Sequence, residues 1–154
     1  SMSDFEIRPV SEHDAEEIAR LDEHLTGQWR IEHWEERIAY AARRDPDASL
    51  VALADSRLIA YLFTDTRGQE YGFEEKTGWI EAIGVDPEYQ KQTVGRHLVE
   101  RVLHRFQQTG VNHIRTLVSA HQSQLESFFA HLGFEAEPIK VLRLTIPPDG
   151  GEKE

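Results

Sequence analysis

Apolar positions recur along the 154-residue chain with two periods, and each change of period marks an element. Phe5 and Ile7 alternate with polar residues and predict a short first strand closed by Pro9. Ser11 with Asp14 three residues on has the form of a capping box, so a helix should begin there with Ala15, Ile18, Leu21 and Leu25 on one face. Thr26, Gly27 and Gln28 interrupt it. A second helix is predicted from Glu32 to Arg43, carrying Trp34, Ile38 and Ala41 on one side and stopping before Asp45-Pro46.

Ser49 to Ala54 and Leu58 to Phe63 are apolar runs separated by Asp55, Ser56 and Arg57, the form of a hairpin. A polar segment from Arg67 to Thr77 leads into a strand from Trp79 to Val85. Pro87 ends that strand, because it has no N–H and restricts the residue before it. Val94, Leu98, Val99, Val102, Leu103 and Phe106 then repeat at helical spacing up to Gln108, with Thr109-Gly110 as the stop. Ile114 to Val118 reads as a buried strand. Leu125, Phe128, Phe129 and Leu132 define a further helix ended by Gly133, and Leu142, Leu144 and Ile146 alternate against Arg143 and Thr145 in a last strand, Ile139 to Ile146.

The composition narrows the chemistry. With no cysteine, the chain has no disulfide, thiolate metal site or cysteine acyl-enzyme. A net charge of −11 argues against nucleic acid, which is bound through basic patches, and is compatible with a cationic substrate such as an amine. The eight histidines include no His-x-x-x-His pair, so no metal site is expected. No apolar run approaches the ~20 residues that cross a bilayer, and the N-terminus lacks the basic and apolar regions of a secretory signal, so no membrane partner and a cytoplasmic location are expected.

The turn between the Trp79 to Val85 strand and the helix after it is the candidate binding feature. Such a turn aims several unbonded backbone N–H groups and the positive end of a helix dipole at one point, which suits a pyrophosphate. Its sequence, VDPEYQKQTVGRHL, resembles the acyl-CoA-binding motif of the GCN5-related N-acetyltransferase family. That motif is an apolar-x-Pro-x-Tyr opening followed by Gln/Arg-x-x-Gly-x-Gly/Ala. Val85, Pro87, Tyr89, Gln90, Val94, Gly95 and Leu98 fall in the expected places, whereas Thr93 stands where the first motif glycine is usual. The order strand, two helices, three strands, helix, strand, helix, strand, with Gly133-Phe134 after the last helix, is similar to the whole acetyltransferase fold from about Phe5 to Ile146.

The resemblance implies a single-domain α/β (α+β) acyl-CoA N-acyltransferase fold over residues 4–146. Its mixed, mostly antiparallel sheet would hold six to seven strands flanked by about four helices, and residues 147–154 would form a disordered tail. It implies acetyl-CoA as cosubstrate and an amine acceptor, with no metal. Homodimers are common among similar proteins. The pantetheine arm would lie along the backbone of Ile83, Gly84 and Val85, and the pyrophosphate against Gln90, Lys91, Gln92, Thr93, Val94, Gly95 and Arg96.

Glu81, on the strand of Trp79, Ile83 and Val85 and with their parity, is the candidate base or water-orienting residue. The position of the family's usual tyrosine acid holds Phe129, which has no proton to give, and Gln122 stands where an asparagine is usual. Ser123, Ser127, His121 and Tyr71 are the alternative proton donors by residue type. Trp29, His33, Trp34 and Tyr40 would border the acceptor pocket. Because of Thr93 and Phe129, a CoA-binding regulatory or interaction module without catalysis is the alternative reading.

Overall fold

The computed structural model describes residues 4–68, 72, 75–91 and 93–150. The Ser11 hydroxyl accepts from the His13 backbone N–H, and the Asp14 carboxylate accepts from the Ser11 backbone N–H at 2.7 Å. This reciprocal cap starts a 3-10 turn, Glu12–Asp14, that runs into helix α1, Ala15–Thr26. Gly27 ends α1 in the left-handed conformation, φ 81°, its N–H returning to the Glu23 carbonyl. Helix α2, Ile31–Arg44, follows.

The two helices are tied by a carboxylate. Asp22, 1% exposed, accepts two hydrogen bonds from Arg30, at 2.7 and 3.0 Å, and one from the Trp34 indole at 3.0 Å. Burial works against the charge of Asp22, but the bonds from Arg30 and Trp34 outweigh it and hold the carboxyl below its ordinary range.

Strands β1 (Glu6–Pro9), β2 (Leu50–Ala54), β3 (Arg57–Arg67), β4 (Thr77–Val85) and β5 (His113–Thr116) form one sheet in the order β1-β2-β3-β4-β5. The first three junctions are antiparallel and β4 to β5 is parallel. The β2–β3 hairpin turns at Asp55 and Ser56, both at positive φ, as a two-residue loop between twisted strands requires. Helix α3, Val94–Gln108, supplies the crossover between β4 and β5, and helix α4, Ser123–His131, follows β5.

Strand alternation divides the core between the two sheet faces. Leu50, Ala52, Ala60 and Leu62 pack with Val94, Leu98, Val102 and Phe106 of α3 and Phe129 of α4. Val51, Tyr61 and Phe63 point the other way, onto Ile18 and Ala19 of α1 and Trp34 and Ile38 of α2.

Two expectations are corrected. Between β3 and β4 the register slips, Phe63 facing Ala82 and Thr64 facing Ile80, so Glu81 is an extra residue in a β-bulge. The bulge reverses the alternation. Glu81 shares the α2 face with Trp79, while Ile83 and Val85 pack on the α3 side, so Glu81 does not have their parity. The other correction concerns residues 139–146, which join no strand among the described residues; the sheet has five strands. An alternating pattern becomes a strand only where an edge pairs with it, and here Val141, Leu142, Leu144 and Ile146 are 80–89% exposed.

Candidate active site

Strands β4 and β5 stay paired for four residues only. Thr77, Gly78, Trp79 and Ile80 face His113, Ile114, Arg115 and Thr116, and the Thr116 hydroxyl closes the last rung on the Ile80 carbonyl at 3.0 Å. Past that point β4 continues through Glu81 to Val85 against β3 alone, while the chain after β5 turns through Leu117–Ser119 toward α4. The sheet therefore splits open along the second half of β4.

The first turn of α3 stands at the end of this split. A Cβ on Gly95 would lie 3.1 Å from the Phe128 ring of α4 and 3.8 Å from Val85, so α3 is wedged between the end of β4 and α4. Gly95 is thus accounted for by helix packing. The 3-10 turn Pro87–Tyr89 delivers the chain to α3, capped by Asp86, whose carboxylate accepts from the Glu88 N–H at 2.9 Å. Thr93 precedes the helix at φ −93° and ψ 17°, a conformation open to any residue, and its side chain is exposed. The N–H groups of the first turn have no earlier helical carbonyl to bond, and Lys91 and Arg96 add exposed positive charge beside them.

The other expected cosubstrate contacts divide. Ile83 and Val85 are half-buried against the α3-side core. The Gln90 amide is engaged at the Val85 carbonyl, 3.0 Å, and braces the turn. The Gln122 side-chain oxygen accepts from the Ser119 N–H at 3.0 Å and shapes the turn into α4. Gln92 lies outside the described residues, as does Tyr71.

Gly84 has a packing reason for lacking a side chain. A Cβ there would stand 2.5 Å from Cζ and 2.6 Å from Oη of Tyr61, which is 4% exposed and lies 4.9 Å, centroid to centroid, from Trp34. Burial raises the Tyr61 hydroxyl well above its ordinary pKa, so that group stays protonated.

Glu81, 16% exposed, is held by two guanidinium groups: Arg37 of α2 donates to Oε1 at 2.8 Å and Arg67 of β3 donates to Oε2. Arg37 lies over the Phe63 ring and Arg67 over the Trp79 ring, so both arginines are themselves positioned by aromatic faces. A carboxylate has about four acceptor sites, and the lone pairs left over can hold a water. A shallow depression of about 410 Å³ on the outer face of α2, lined by His33, Glu36, Arg37, Ala39, Tyr40 and Arg43, includes the same Arg37.

The aromatic residues expected at an acceptor pocket have separate places. Trp34 is core, 2% exposed, and the Tyr40 hydroxyl donates to Asp65 at 2.7 Å; Trp29 and His33 are on the surface. Phe129 is 2% exposed, with Phe128 and Phe134 at 5.1 and 4.9 Å. Its ring is part of the core. His121, Ser123 and Ser127 are exposed, the Ser127 carbonyl lying 2.7 Å from His131 Nδ1. Sequence reasoning missed the arginine clamp and the Tyr61–Gly84 contact. Their partners lie 44, 14 and 23 residues apart, and only the bulge, which no local pattern announces, brings Glu81 round to Arg37.

A split parallel pair with a helix N-terminus behind it defines an acyl-CoA acyltransferase fold, and residues 13–134 match the Acetyltransferase (GNAT) family, to which the chain belongs. It is 25% identical over 122 residues to the [ribosomal protein bS18]-alanine N-acetyltransferase of Salmonella typhimurium, covering 75% of this chain and 78% of that one. A 54-residue match to GCN5-related N-acetyltransferase 2, chloroplastic, of Arabidopsis thaliana is 41% identical but covers 35% of this chain and only 20% of the plant protein. Among solved structures, aminoglycoside N-acetyltransferase AAC(6')-Iy in complex with CoA superposes with a TM-score of 0.80 at 19% identity, covering 92% of this chain and 95% of that one.

Proposed function

We propose that the protein transfers the acetyl group of acetyl-CoA to a primary amine by direct attack within a ternary complex. The observation that carries this reading is the split between β4 and β5 with the first turn of α3 behind it. In this reading the pyrophosphate meets the N–H groups of residues 93–96 together with Lys91 and Arg96. The pantetheine arm runs along the open edge of Ile83, Gly84 and Val85. The acceptor approaches from the α2 side, where the bulge presents Glu81.

The chemistry follows from that division. An alkyl amine with a pKa of ~10.4 is largely protonated at neutral pH and must lose a proton before it attacks. Glu81 serves through a water held by its remaining lone pairs, because direct proton uptake would require an arginine bond to open. The amine nitrogen bonds to the thioester carbon, a backbone N–H of the open edge steadies the oxyanion, and collapse expels the CoA thiolate. A thiol of pKa ~8.5 leaves tolerably near neutral pH without an acid, which fits Phe129 at the position of the usual tyrosine.

Thiol release from acetyl-CoA, followed with polyamines, amino acids, aminoglycosides and lysine peptides, tests the reading. Amine-dependent release is expected with at least one class. Calorimetry showing no acetyl-CoA binding at millimolar ligand would overturn it, and binding without turnover across all classes would favour a CoA-binding module.

A further inference from the structure

We propose that the acceptor is an amine carrying a carboxylate of its own, as a free amino acid does, and that Arg37 and Arg67 bind that carboxylate. The proposal rests on the acetyltransferase reading, with the acceptor entering on the α2 side. Its basis is a local surplus of positive charge in a chain whose net charge is −11.

Among the described ion pairs away from Glu81, every carboxylate is matched by one basic group, and Arg57 and Arg105 each meet two carboxylates. Glu81 reverses this ratio. Arg37 and Arg67 both donate to it, which leaves one positive charge uncompensated. No other partner draws the second arginine there. The two side chains, 23 and 33% exposed, make no further hydrogen bond or ion pair among the described residues. Holding surplus charge partly out of water costs free energy unless an anion meets it.

The donors for such an anion are present. A guanidinium has five N–H groups, and each arginine spends one on Glu81. The remaining N–H groups can fork a second carboxylate. Aromatic faces fix both arginines, Arg37 at 5.5 Å from the Phe63 centroid and Arg67 at 5.7 Å from that of Trp79, so little freedom is lost on binding. The surroundings do not cancel the surplus. Asp65 is met by Arg44, and the adjoining depression on α2 adds one carboxylate, Glu36, and one arginine, Arg43.

This arrangement discriminates among amines. A polyamine or an aminoglycoside brings several ammonium groups to a region that is already positive and is disfavoured. A phosphate dianion would overcompensate a single surplus charge, whereas one carboxylate neutralises it. Position adds a second restriction. Glu81, whose water takes the proton of the amine, is bonded to both arginines, so the amine and the carboxylate of the acceptor must lie within a few bonds of each other. A free amino acid meets this condition, and the side-chain amine of a lysine within a protein does not.

Thiol release from acetyl-CoA is measured with matched acceptors: amino acids with apolar, polar and charged side chains, their primary amides, and the amines that lack the carboxyl group. Charge-assisted bonds to the arginines predict kcat/KM about 10- to 100-fold higher for the preferred amino acid than for its amide, carried by KM. This preference runs against intrinsic reactivity, because the amine of the amide is less basic and more of it is unprotonated at neutral pH. In Arg67→Gln the remaining arginine and Glu81 compensate each other, and the acid-to-amide ratio should fall about tenfold, while Arg67→Lys, which keeps the charge, should retain part of it. A folding defect would lower both substrates alike and leave the ratio where it was. Amides or bare amines turned over as fast as the acids would overturn the inference and leave acetyl transfer standing, as would a ratio unmoved in Arg67→Gln. If no amine is turned over, the acetyltransferase reading fails by itself, and calorimetry on the CoA complex judges the arginine site. N-acetylamino acids binding about tenfold more tightly than their amides uphold it, and equal binding overturns it.

Discussion

Replacing Gly84 by Ala isolates one contact between β4 and the buried Tyr61 ring of β3. The added methyl would sit 2.5, 2.6 and 2.7 Å from Cζ, Oη and Cε2 of Tyr61, closer than real Cβ contacts come. The Tyr61 ring has nowhere simple to go, because Trp34 lies 4.9 Å and Phe63 6.1 Å away, centroid to centroid, and all three are buried. Overpacking of this kind costs about 1–3 kcal/mol. In a domain of this size each kcal/mol moves the midpoint by roughly 2–4 °C, so Tm should fall by about 2–12 °C. The assay is thermal unfolding of a four-member cycle: wild type, Gly84→Ala, Tyr61→Leu and the double variant. Tyr61→Leu is itself destabilising, but with the ring gone the methyl should cost less than about 0.5 kcal/mol. If Gly84→Ala leaves Tm unchanged, or costs the same with and without the ring, the contact does not explain the glycine.

Glu81→Gln should lower kcat by about 10²-fold, with the largest loss at low pH where the amine is most protonated; a wild-type to variant ratio that does not change with pH removes Glu81 from proton transfer. Asp22→Asn should cost about 3 kcal/mol, the low end for a buried pair because Arg30 is 40% exposed. The folded carboxyl titrates below its unfolded value, so this contribution is complete above about pH 4 and is lost as pH falls through the folded pKa. Denaturant unfolding of wild type and variant should therefore converge in strong acid, and a gap that widens there would contradict the sign. The pair Lys91→Ala and Arg96→Ala together should raise KM for acetyl-CoA about tenfold at low salt and less at high salt; an unchanged KM at low salt would remove these charges from the cosubstrate site.

What the sequence made legible was local. The capping box of Ser11 and Asp14, the stop at Gly27, the Asp55-Ser56 hairpin and the apolar stripe of α3 each depend on residues a few positions apart, and each forms where its pattern falls. The Val85 to Leu98 turn belongs with them, since strand end, proline and helix start are neighbours in the chain. The remainder depended on distance. Glu81 meets Arg37 and Arg67 across 44 and 14 residues, and its face is set by a register slip that alternation cannot foresee. The Ile139 to Ile146 pattern is a true strand pattern, but it specifies a side-chain alternation and not the edge that would receive it.

The bulge at Glu81 separates two tasks along the nine residues of β4. In a regular strand a change that reshapes one face presses on the neighbouring residues of the same face along the whole length. Here the extra residue turns the strand over, so that Trp79, Glu81 and Ala82 face the first helix pair while Ile83 and Val85 face α3. Substitutions around α1 and α2 can then remodel one half of the cleft while the other half keeps its shape. In the proposed reading, the acceptor side of the cleft can then change without disturbing the side that holds the cosubstrate.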